Sequence, residues 1–595
     1  MDSSTDTETT VDGLGFSLRE HQIVPVDSIC DNLRRSNKPQ WIAADRGWGK
    51  TYAGVYVAKY LYENYGLKVL LISPPGEVQS VWVKLLTAAN VPFFTPLSWQ
   101  SLSGKRGKQI GKNGDTILYA DAKLSHKWLI RENEDNGPFH ATVEYQEVLR
   151  SSGVFLIADE FSAVKNATSA RHWALVEMIQ YGLSCEGGTM RVMLLSALFG
   201  AEEKNYECLF RILNTTNGET IMYHANKKTT VNEWVNHGFG NVIEAAKVVN
   251  KVKTYQILDR TSIIRPCPPG TREDYRYRFV KKSMDTCLRL LWEDVLAPVY
   301  QPYTEDISYA NDAGVEFKFT KRNGFFKLNE ESALECQDAI NALKRANIIN
   351  EDRVNLANAN RSIAIVQCAL MRLSHAKTPD FLAQIIKDLK ANPTCKVIAI
   401  HPFIDDQNWL AQNLKMYGAV QINGKVKFAE RSANIALFNE PNTKCRVVII
   451  TPEAGGVGVS LHDHVEPGPE DFQGLRHLFK TPQEALFPRK MWAISNFNYL
   501  FMFQAYGRGY RSGMRSDVEL TVFFASNASI ESVLINTMMK SKVAKGSNLA
   551  KKREYPDEFA IYIDDETPEM APLREYLEKM RTASLNEVQT ERQKM

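Results

Sequence analysis

Residues 44–51 read Ala44-Asp45-Arg46-Gly47-Trp48-Gly49-Lys50-Thr51, between a short apolar run at 41–43 and a helix-like pattern that starts at Tyr52. A glycine-rich loop between a strand and a helix turns backbone N–H groups inward, and the helix N-terminus adds a favourable partial charge. The stretch therefore predicts a phosphate-binding loop on a parallel sheet. The alternative is a glycine-rich turn that happens to precede a lysine.

The residues of this loop predict how the phosphates of a nucleotide and Mg²⁺ are held. Gly47 and Gly49 would let the backbone approach the phosphates. Lys50 would reach the β- and γ-phosphates and take part in catalysis, and the Thr51 hydroxyl would ligate Mg²⁺.

A second motif places two carboxylates at the end of an apolar run. Residues 154–158 are followed by Asp159 and Glu160. Acidic groups at the end of a buried strand are costly unless they face a ligand, a partner or water. We expect Asp159 to hold Mg²⁺ and Glu160 to polarise the attacking water. The alternative is a strand that ends in a solvated acidic turn. The phosphate-binding loop predicted upstream makes this alternative less favoured.

Apolar runs that alternate with helical patterns set the fold class. The runs in the first half are 41–43, 69–73, 117–120, 154–158 and 192–196. Those in the second half are 397–401, 420–422, 447–451, 492–494 and 520–525. Continuous apolar strands separated by helices indicate parallel sheets covered on both faces, so the chain is predicted to be α/β with two lobes in tandem.

The remaining segments complete the predicted domain organisation. The stretch 303–327 is mixed and reads as a hairpin or a loop, whereas 330–347 and 353–373 read as helices. The predicted parts are a disordered tail (1–14), lobe 1 (15–274), a mostly helical insertion (275–360), lobe 2 (361–545) and a charged C-terminal extension with a helical tail (546–595).

Composition excludes several classes of protein. Hydrophobic residues make up 44% of the 595 residues, and the net charge is only +3. Charge alone therefore does not predict nucleic-acid binding. Because residues 1–13 are polar and acidic, we do not expect a secretory signal, and no apolar run of the sequence has membrane-spanning length. The nine cysteines are scattered without a Cys-x-x-Cys pair, which favours a reducing compartment. We expect an intracellular protein of the nucleus, the cytoplasm, or a viral factory or virion.

The motifs of the first half, taken in order, resemble those of superfamily 2 helicases and ATPases, in particular the Swi/Snf type. Ala44, in place of the usual first glycine, matches the loop of that superfamily. The other matching segments are Leu18-Arg19-Glu20-His21-Gln22, Asp159-Glu160-Phe161-Ser162 with Lys165-Asn166, and Leu195-Ser196-Ala197. The resemblance implies two RecA-like lobes.

The second half resembles the same superfamily. Ala454-Gly455-Gly456-Val457-Gly458 is similar to motif V, and Gln504-Ala505-Tyr506-Gly507-Arg508-Gly509-Tyr510-Arg511 is similar to motif VI. The segment 460–463, the pair Pro488-Arg489 and motif VI also look like helicase-like proteins of large DNA viruses and of the Strawberry notch group.

The resemblance implies further site residues. Gln22 would read adenine, Gln504 would contact the nucleotide, and Arg508 and Arg511 would act as arginine fingers. A planar guanidinium stabilises the charge of a phosphoryl-transfer transition state, although two arginines three apart more commonly form a solvated basic helix face. The implied nucleic-acid contacts are Ser73, Pro74, Thr451, Gly455 and Gly456. The stretch 318–327, in which phenylalanines alternate with Lys and Arg, is a weaker candidate, with a solvated loop over a small satellite core as its alternative.

The sequence departs from the family pattern at two places. Phe161-Ser162 replaces the common Ala-His or Ala-Asp pair, and Leu198-Phe199 replaces Thr-Pro. We expect an ATP-dependent DNA translocase or helicase, with DNA favoured over RNA, transcription or replication proteins as partners and no membrane. The alternatives are an RNA helicase and a non-motor transcription-complex or structural subunit that keeps the fold.

Overall fold

The fold is described from a computed structural model of the 595-residue chain. The structure describes residues 17–44, 48–102, 108–110, 116–118, 127–131, 139–196, 199, 205–217, 237–261, 281–300, 319–350, 353–355, 358, 362–452, 460–494, 505, 507–509 and 514–525. The predicted tail at 1–14 and the extension at 546–595 lie outside these residues. The described residues divide into two compact units, with the boundary between residues 307 and 308.

The first unit contains a five-stranded parallel sheet with the order β1-β9-β8-β2-β3 and two separate antiparallel pairs, β4 with β5 and β6 with β7. Its strands are β1 (Gln40–Ile42), β2 (Lys68–Ser73), β3 (Leu97–Ser98), β4 (Lys108–Ile110), β5 (Thr116–Leu118), β6 (Leu129–Arg131), β7 (Phe139–Ala141), β8 (Val154–Asp159) and β9 (Met190–Leu195). Strand β1 precedes the predicted phosphate loop and β8 ends in the acidic pair. Only β9 lies between these two strands in the sheet.

Helices of the first unit cover both faces of this sheet. They are α1 (Glu20–Arg35), α2 (Lys50–Tyr65), α3 (Glu77–Ala88), α4 (Trp99–Leu102), α5 (Val143–Ser151), α6 (Ala170–Ser184), α7 (Asn205–Ile212), α8 (His237–Arg260), α9 (Lys281–Leu291) and α10 (Ala297–Tyr300). Alternate residues of β8 enter different apolar clusters: Phe155 and Ile157 pack with α1 to α3, whereas Leu156 packs with α6 to α9. Burial on both faces explains why β8 is apolar throughout rather than alternating.

The second unit contains a six-stranded parallel sheet with the order β10-β17-β16-β13-β15-β14. Its strands are β10 (Phe319–Phe326), β13 (Lys396–Ile400), β14 (Val420–Ile422), β15 (Val447–Ile450), β16 (Arg489–Ile494) and β17 (Val518–Ala525), and a separate pair is formed by β11 (Ile349–Asn350) and β12 (Arg353–Val354). Its helices are α11 (Glu330–Arg345), α12 (Ile363–Ala391), α13 (Ile404–Asn413), α14 (Phe428–Asn439) and α15 (Pro469–Gln473).

The structure differs from the sequence prediction at several elements. The run at 117–120 contributes β5 to an antiparallel pair, not to the main sheet, and the fifth strand of that sheet is the two-residue β3. The stretch 303–327, expected as a hairpin or a loop, supplies β10 as a parallel edge strand, because Phe326 stacks on Phe523 with ring centroids 4.5 Å apart. The stretch 353–373 begins as β12 and becomes helical only at Ile363.

The segment 275–360 is divided between the two units. Residues 281–300 are part of the apolar core of the first unit through Met284, Leu288 and Trp292. The later part of the segment adds β10 to the second sheet and packs α11 against α12. Among the described residues, no helix has both the length and the apolar character that crossing a membrane requires.

Two buried cations lie side by side where strands of the second sheet begin. Lys396 of β13 is paired in register with Arg489 of β16. The Lys396 Nζ donates to the carbonyl oxygens of Phe438 (2.7 Å) and Glu440 (2.6 Å), and the side chain has no exposed surface. Burial, and then the positive charge of Arg489, lower the pKa of Lys396 from 10.5 to about 7. The neutral amine keeps two N–H groups, which are enough to donate to both carbonyl oxygens.

This pKa shift predicts a pH-dependent stability. Above pH 7 the unfolded chain retains a proton that the folded chain has released, so the free energy of unfolding rises with pH, by at most about 1.4 kcal/mol per pH unit. We expect urea unfolding of the second unit to show this rise between about pH 7 and about pH 8.5, and Lys396→Met to lack it. The exposed Lys415→Met is the matched control. A Lys396→Met profile parallel to that of the wild-type chain would contradict the lowered pKa.

Candidate nucleotide-binding site

The loop before α2 adopts a conformation that requires glycine at position 49. Gly49 has φ +89°, in the left-handed region, and a Cβ built on it would lie 2.4 Å from Nε2 of Gln22. Helix α2 then begins directly at Lys50. The backbone at Gly49 is thus free of side-chain bulk where the helix N-terminus begins, which is the local geometry that phosphate groups need.

Gln22 holds this loop through its side-chain amide. Its Nε2 donates to the carbonyl oxygens of Trp48 (2.7 Å) and Gly49 (3.2 Å), and its Oε1 accepts from the backbone N–H of Arg19 (2.9 Å). Only 2% of the Gln22 surface is exposed. The amide therefore links the start of α1 to the phosphate loop, a role that the sequence did not predict, and the reading of adenine by Gln22 stays a prediction.

The loop supplies donors for an anion. The Lys50 Nζ donates to the carbonyl oxygen of Ala44 across the loop, at 2.8 Å. Trp48 is 4% exposed, and its indole N–H is buried without an acceptor among the described residues. Thr51, the expected Mg²⁺ ligand, follows in the first turn of α2 and is half-buried. A loop with a lysine at the helix N-terminus and a hydroxyl one residue later fits a magnesium–nucleotide group.

Asp159 and Glu160 lie at the carboxyl end of β8. Asp159 is 6% exposed, and burial raises the pKa of its carboxyl to about 7, with the neighbouring charge of Glu160 acting in the same direction. The charge of Lys50 opposes this rise in pKa, so the loop lysine lies near enough to favour the carboxylate. Glu160 has φ 52° and ψ 46°, an unusual backbone conformation for a residue other than glycine. Such strain is typical of functional positions.

Two indole groups fix Asp159 from neighbouring elements. The Trp82 Nε1 of α3 donates to Oδ2 of Asp159 at 2.8 Å. The Trp99 Nε1 of α4 donates to the backbone carbonyl oxygen of Asp159 at 2.9 Å. Neither tryptophan was singled out by sequence, because helical apolar patterns predict burial but not the partner of an indole N–H.

The two departures from the family pattern contact each other. Phe161 stacks on Phe199 with ring centroids 4.9 Å apart, and Trp41 meets Phe161 edge-on at 5.3 Å. The Trp41 Nε1 also donates to the carbonyl oxygen of Ser196 at 3.1 Å. An aromatic cluster thus joins the segment after the acidic pair to the segment after β9. The sequence placed each phenylalanine as an isolated exception and did not predict the contact.

The expected nucleic-acid contacts that the structure describes, Ser73, Pro74 and Thr451, are buried. Ser73 has no exposed surface, and its hydroxyl donates to the carbonyl oxygen of Pro74 at 3.2 Å. Pro74 is buried as well, whereas Pro75 is exposed. Thr451 is 6% exposed, at the end of β15. The part of these three residues in nucleic-acid binding stays a prediction.

The basic and aromatic stretch at 318–327 is partly structural. Phe326 packs in the second unit against Phe523 and Trp492. Arg322 forms an ion pair with Glu519 at 2.8 Å and donates to Thr521 at 3.0 Å. Phe326 is thus part of an aromatic cluster and Arg322 is ion-paired, whereas Lys318 lies outside the described residues.

Arg508 is described in the second unit, where 3% of its surface is exposed and its carbonyl oxygen accepts from the backbone N–H of Leu461 at 3.0 Å. The other candidate residues lie outside the described residues. They are Gly47, Gly455, Gly456, Gln504 and Arg511.

The two parallel sheets with their flanking helices are two RecA-like lobes in tandem, and the first carries the candidate phosphate loop and the acidic pair. No protein-family model and no curated protein matches the chain. Among solved structures, the chain is similar to the SWI2/SNF2 ATPase core of Sulfolobus solfataricus in complex with dsDNA, at 12% identity, 90% coverage of this chain, 95% of that chain and a TM-score of 0.28. It is also similar to the SWI2/SNF2 ATPase core domain of Sulfolobus solfataricus, at 12% identity, 92% and 95% coverage and a TM-score of 0.27.

At these TM-scores the fold assignment rests on strand order and helix placement in the chain itself. Neither structure is viral or belongs to the Strawberry notch group, so that narrower resemblance stays a prediction.

Proposed function

We propose that the chain is a nucleic-acid-dependent ATPase that moves along DNA as a translocase or helicase. The observation that carries the proposal is that Lys50, at the start of α2, lies near enough to act on Asp159, which with Glu160 ends β8. The charge of Lys50 favours the ionised form of Asp159, which is the form that binds a cation.

Each of these residues has a defined task in phosphoryl transfer. Backbone N–H groups after Gly49 and the Lys50 ammonium would bind the phosphates. Thr51 and Asp159 would hold Mg²⁺, which supplies charge neutralisation on the phosphate oxygens when bound. Glu160 would orient the attacking water and accept its proton. Gln22 keeps the loop in place through the carbonyl oxygens of Trp48 and Gly49.

The second lobe supports a motor rather than a simple hydrolase. Arg508 and Arg511, in a motif VI-like sequence, are the proposed arginine fingers, and Gln504 is a proposed nucleotide contact. If catalysis needs groups from both lobes, binding and hydrolysis of ATP drive closure and reopening, which converts turnover into stepping. DNA is favoured over RNA because Lys165-Asn166 and the segment 454–458 resemble Swi/Snf-type motors.

The test is ATP turnover measured alone and with duplex DNA, single-stranded DNA or RNA. We expect DNA to stimulate turnover, and Lys50→Ala to abolish both the basal and the stimulated rate. Stimulation by RNA alone would identify an RNA helicase. Turnover that no nucleic acid changes would contradict the motor function and favour a non-motor subunit. Triplex displacement beside strand displacement then separates a translocase from a helicase.

A further inference from the structure

Trp82 connects the helix of the phosphate loop to the candidate metal carboxylate. Its indole has no exposed surface, and its Nε1 donates to Oδ2 of Asp159 at 2.8 Å. Its ring faces Gly54 of α2: a Cβ built on Gly54 would lie 2.4 Å from Cη2 of Trp82. The indole is therefore in contact with α2 at its ring edge and with β8 at its N–H group.

Gly54 makes this approach sterically accessible. A glycine within a helix destabilises it by roughly 1 kcal/mol relative to alanine. Here the Cβ of any larger residue would collide with the Trp82 ring. It would also lie 3.1 Å from the Met193 side chain, which limits the room for adjustment. The glycine weakens the helix slightly but lets the indole pack closely against it. This packing fixes the indole and therefore the direction of its N–H group.

A hydrogen bond to one carboxylate oxygen restricts rotation of the group. Trp82 holds Oδ2, and the backbone N–H of Glu160 also donates to the carboxylate, so the carboxylate plane is set before the cation arrives. Partners of this kind orient metal-binding groups, and their loss typically lowers metal affinity or activity tenfold or more. Trp99 donates its N–H group to the backbone carbonyl of the same residue, so it supplies a matched comparison.

We propose that Trp82 is a positioning residue that orients the Asp159 carboxylate for Mg²⁺ and ties this orientation to α2 and α3. The inference rests on the proposed ATPase function, because it assigns a task to Trp82 only if Asp159 binds the metal of a nucleotide complex. It goes beyond that function by predicting a metal-affinity determinant outside the phosphate loop and the acidic pair.

The test compares Trp82→Phe with Trp99→Phe in the full chain. Phenylalanine keeps a buried ring at each position and removes only the N–H donor and part of the ring. Binding of a fluorescent ATP analogue is titrated against Mg²⁺ and, separately, Mn²⁺, with Mn²⁺ occupancy followed by electron paramagnetic resonance. Circular dichroism and thermal unfolding report the folded fraction. Gly54→Ala is a second variant, which displaces the indole without altering its chemistry.

We expect Trp82→Phe to raise the half-saturating Mg²⁺ and Mn²⁺ concentrations about 10-fold. Nucleotide binding without metal should not change, and Trp99→Phe should match the wild-type metal midpoint. Should Trp82→Phe fail to fold, a raised metal midpoint in Gly54→Ala supports the inference and an unchanged midpoint overturns it.

Two outcomes overturn the inference alone: a wild-type metal midpoint in Trp82→Phe, or an equal shift in Trp99→Phe, which would assign both indoles a general structural role. Failure of the wild-type chain to bind nucleotide with either metal is a different result. It would overturn the proposed function, and the role of Trp82 with it.

Discussion

Replacing Glu160 by glutamine is expected to lower ATP turnover by about two to four orders of magnitude while nucleotide binding is retained. Glutamine keeps the size of the side chain but cannot accept the proton of the attacking water. The substitution also removes a negative charge that raises the pKa of Asp159, so the carboxylate next to it is favoured. Binding of a magnesium–nucleotide complex should therefore be at least as tight as in the wild-type chain.

The measurement is single-turnover ATP hydrolysis beside equilibrium binding of a fluorescent nucleotide. Glu63→Gln is the matched control: it makes the same chemical change on an exposed side chain of α2, 53% exposed, where turnover should not change. Turnover of Glu160→Gln within about threefold of the wild-type rate would mean that another group activates the water. Loss of nucleotide binding would instead assign Glu160 to the binding step.

The parts of the site that are local in sequence could be predicted from it. The phosphate loop depends on glycines and a lysine within eight residues, and its flanking strand and helix have recognisable periodicities. Asp159 and Glu160 follow a continuous apolar run that is observed as β8. Each of these signals depends on neighbours in the chain, so no knowledge of tertiary contacts is needed to interpret it.

The parts that depend on distant residues could not be predicted. Gln22 and Gly49 contact each other across 27 residues, and Trp82 and Asp159 across 77 residues. Nothing in either segment indicates the other, because an indole in an apolar helix face has many equally suitable partners. The same holds for Phe161 and Phe199, which read as two exceptions and pack as one stack. Short edge strands such as β3 are missed for another reason: two residues are too few for a periodic signal.

In the second unit, the segment 460–463 is held by contacts with residues that are distant in sequence. Arg489, at the start of β16, is 1% exposed and donates from Nε to the carbonyl oxygen of Leu461 at 2.8 Å. It also donates to the carbonyl oxygens of Phe487 (2.6 Å) and His462 (3.5 Å). Asp463 faces the same cluster, where its Oδ2 accepts from the backbone N–H of Phe487 at 3.0 Å and its charge favours the guanidinium. A planar guanidinium with several donors suits such a set of carbonyl groups.

Arg489→Ala is therefore expected to destabilise the second unit by about 3–5 kcal/mol, because the carbonyl groups and Asp463 lose their buried cation. For a unit of this size the melting temperature should fall by roughly 6–20 °C. Because the backbone N–H of Leu461 donates to the carbonyl oxygen of Arg508, hydrogen exchange should rise around Leu461 as well.

The measurement is thermal unfolding of the full chain together with hydrogen exchange of peptides that contain 460–463 and 489–494. Arg489→Lys retains a charge but lacks the several directed donors, so its stability should lie between those of the wild-type chain and Arg489→Ala. Arg476→Ala, at an exposed position of the same unit, should change stability by less than about 0.5 kcal/mol. If Arg489→Ala and Arg476→Ala have the same melting temperature, the carbonyl groups find other hydrogen-bond donors without the guanidinium. Arg489 would then not be needed to hold the segment 460–463, and with it the contact between Leu461 and Arg508.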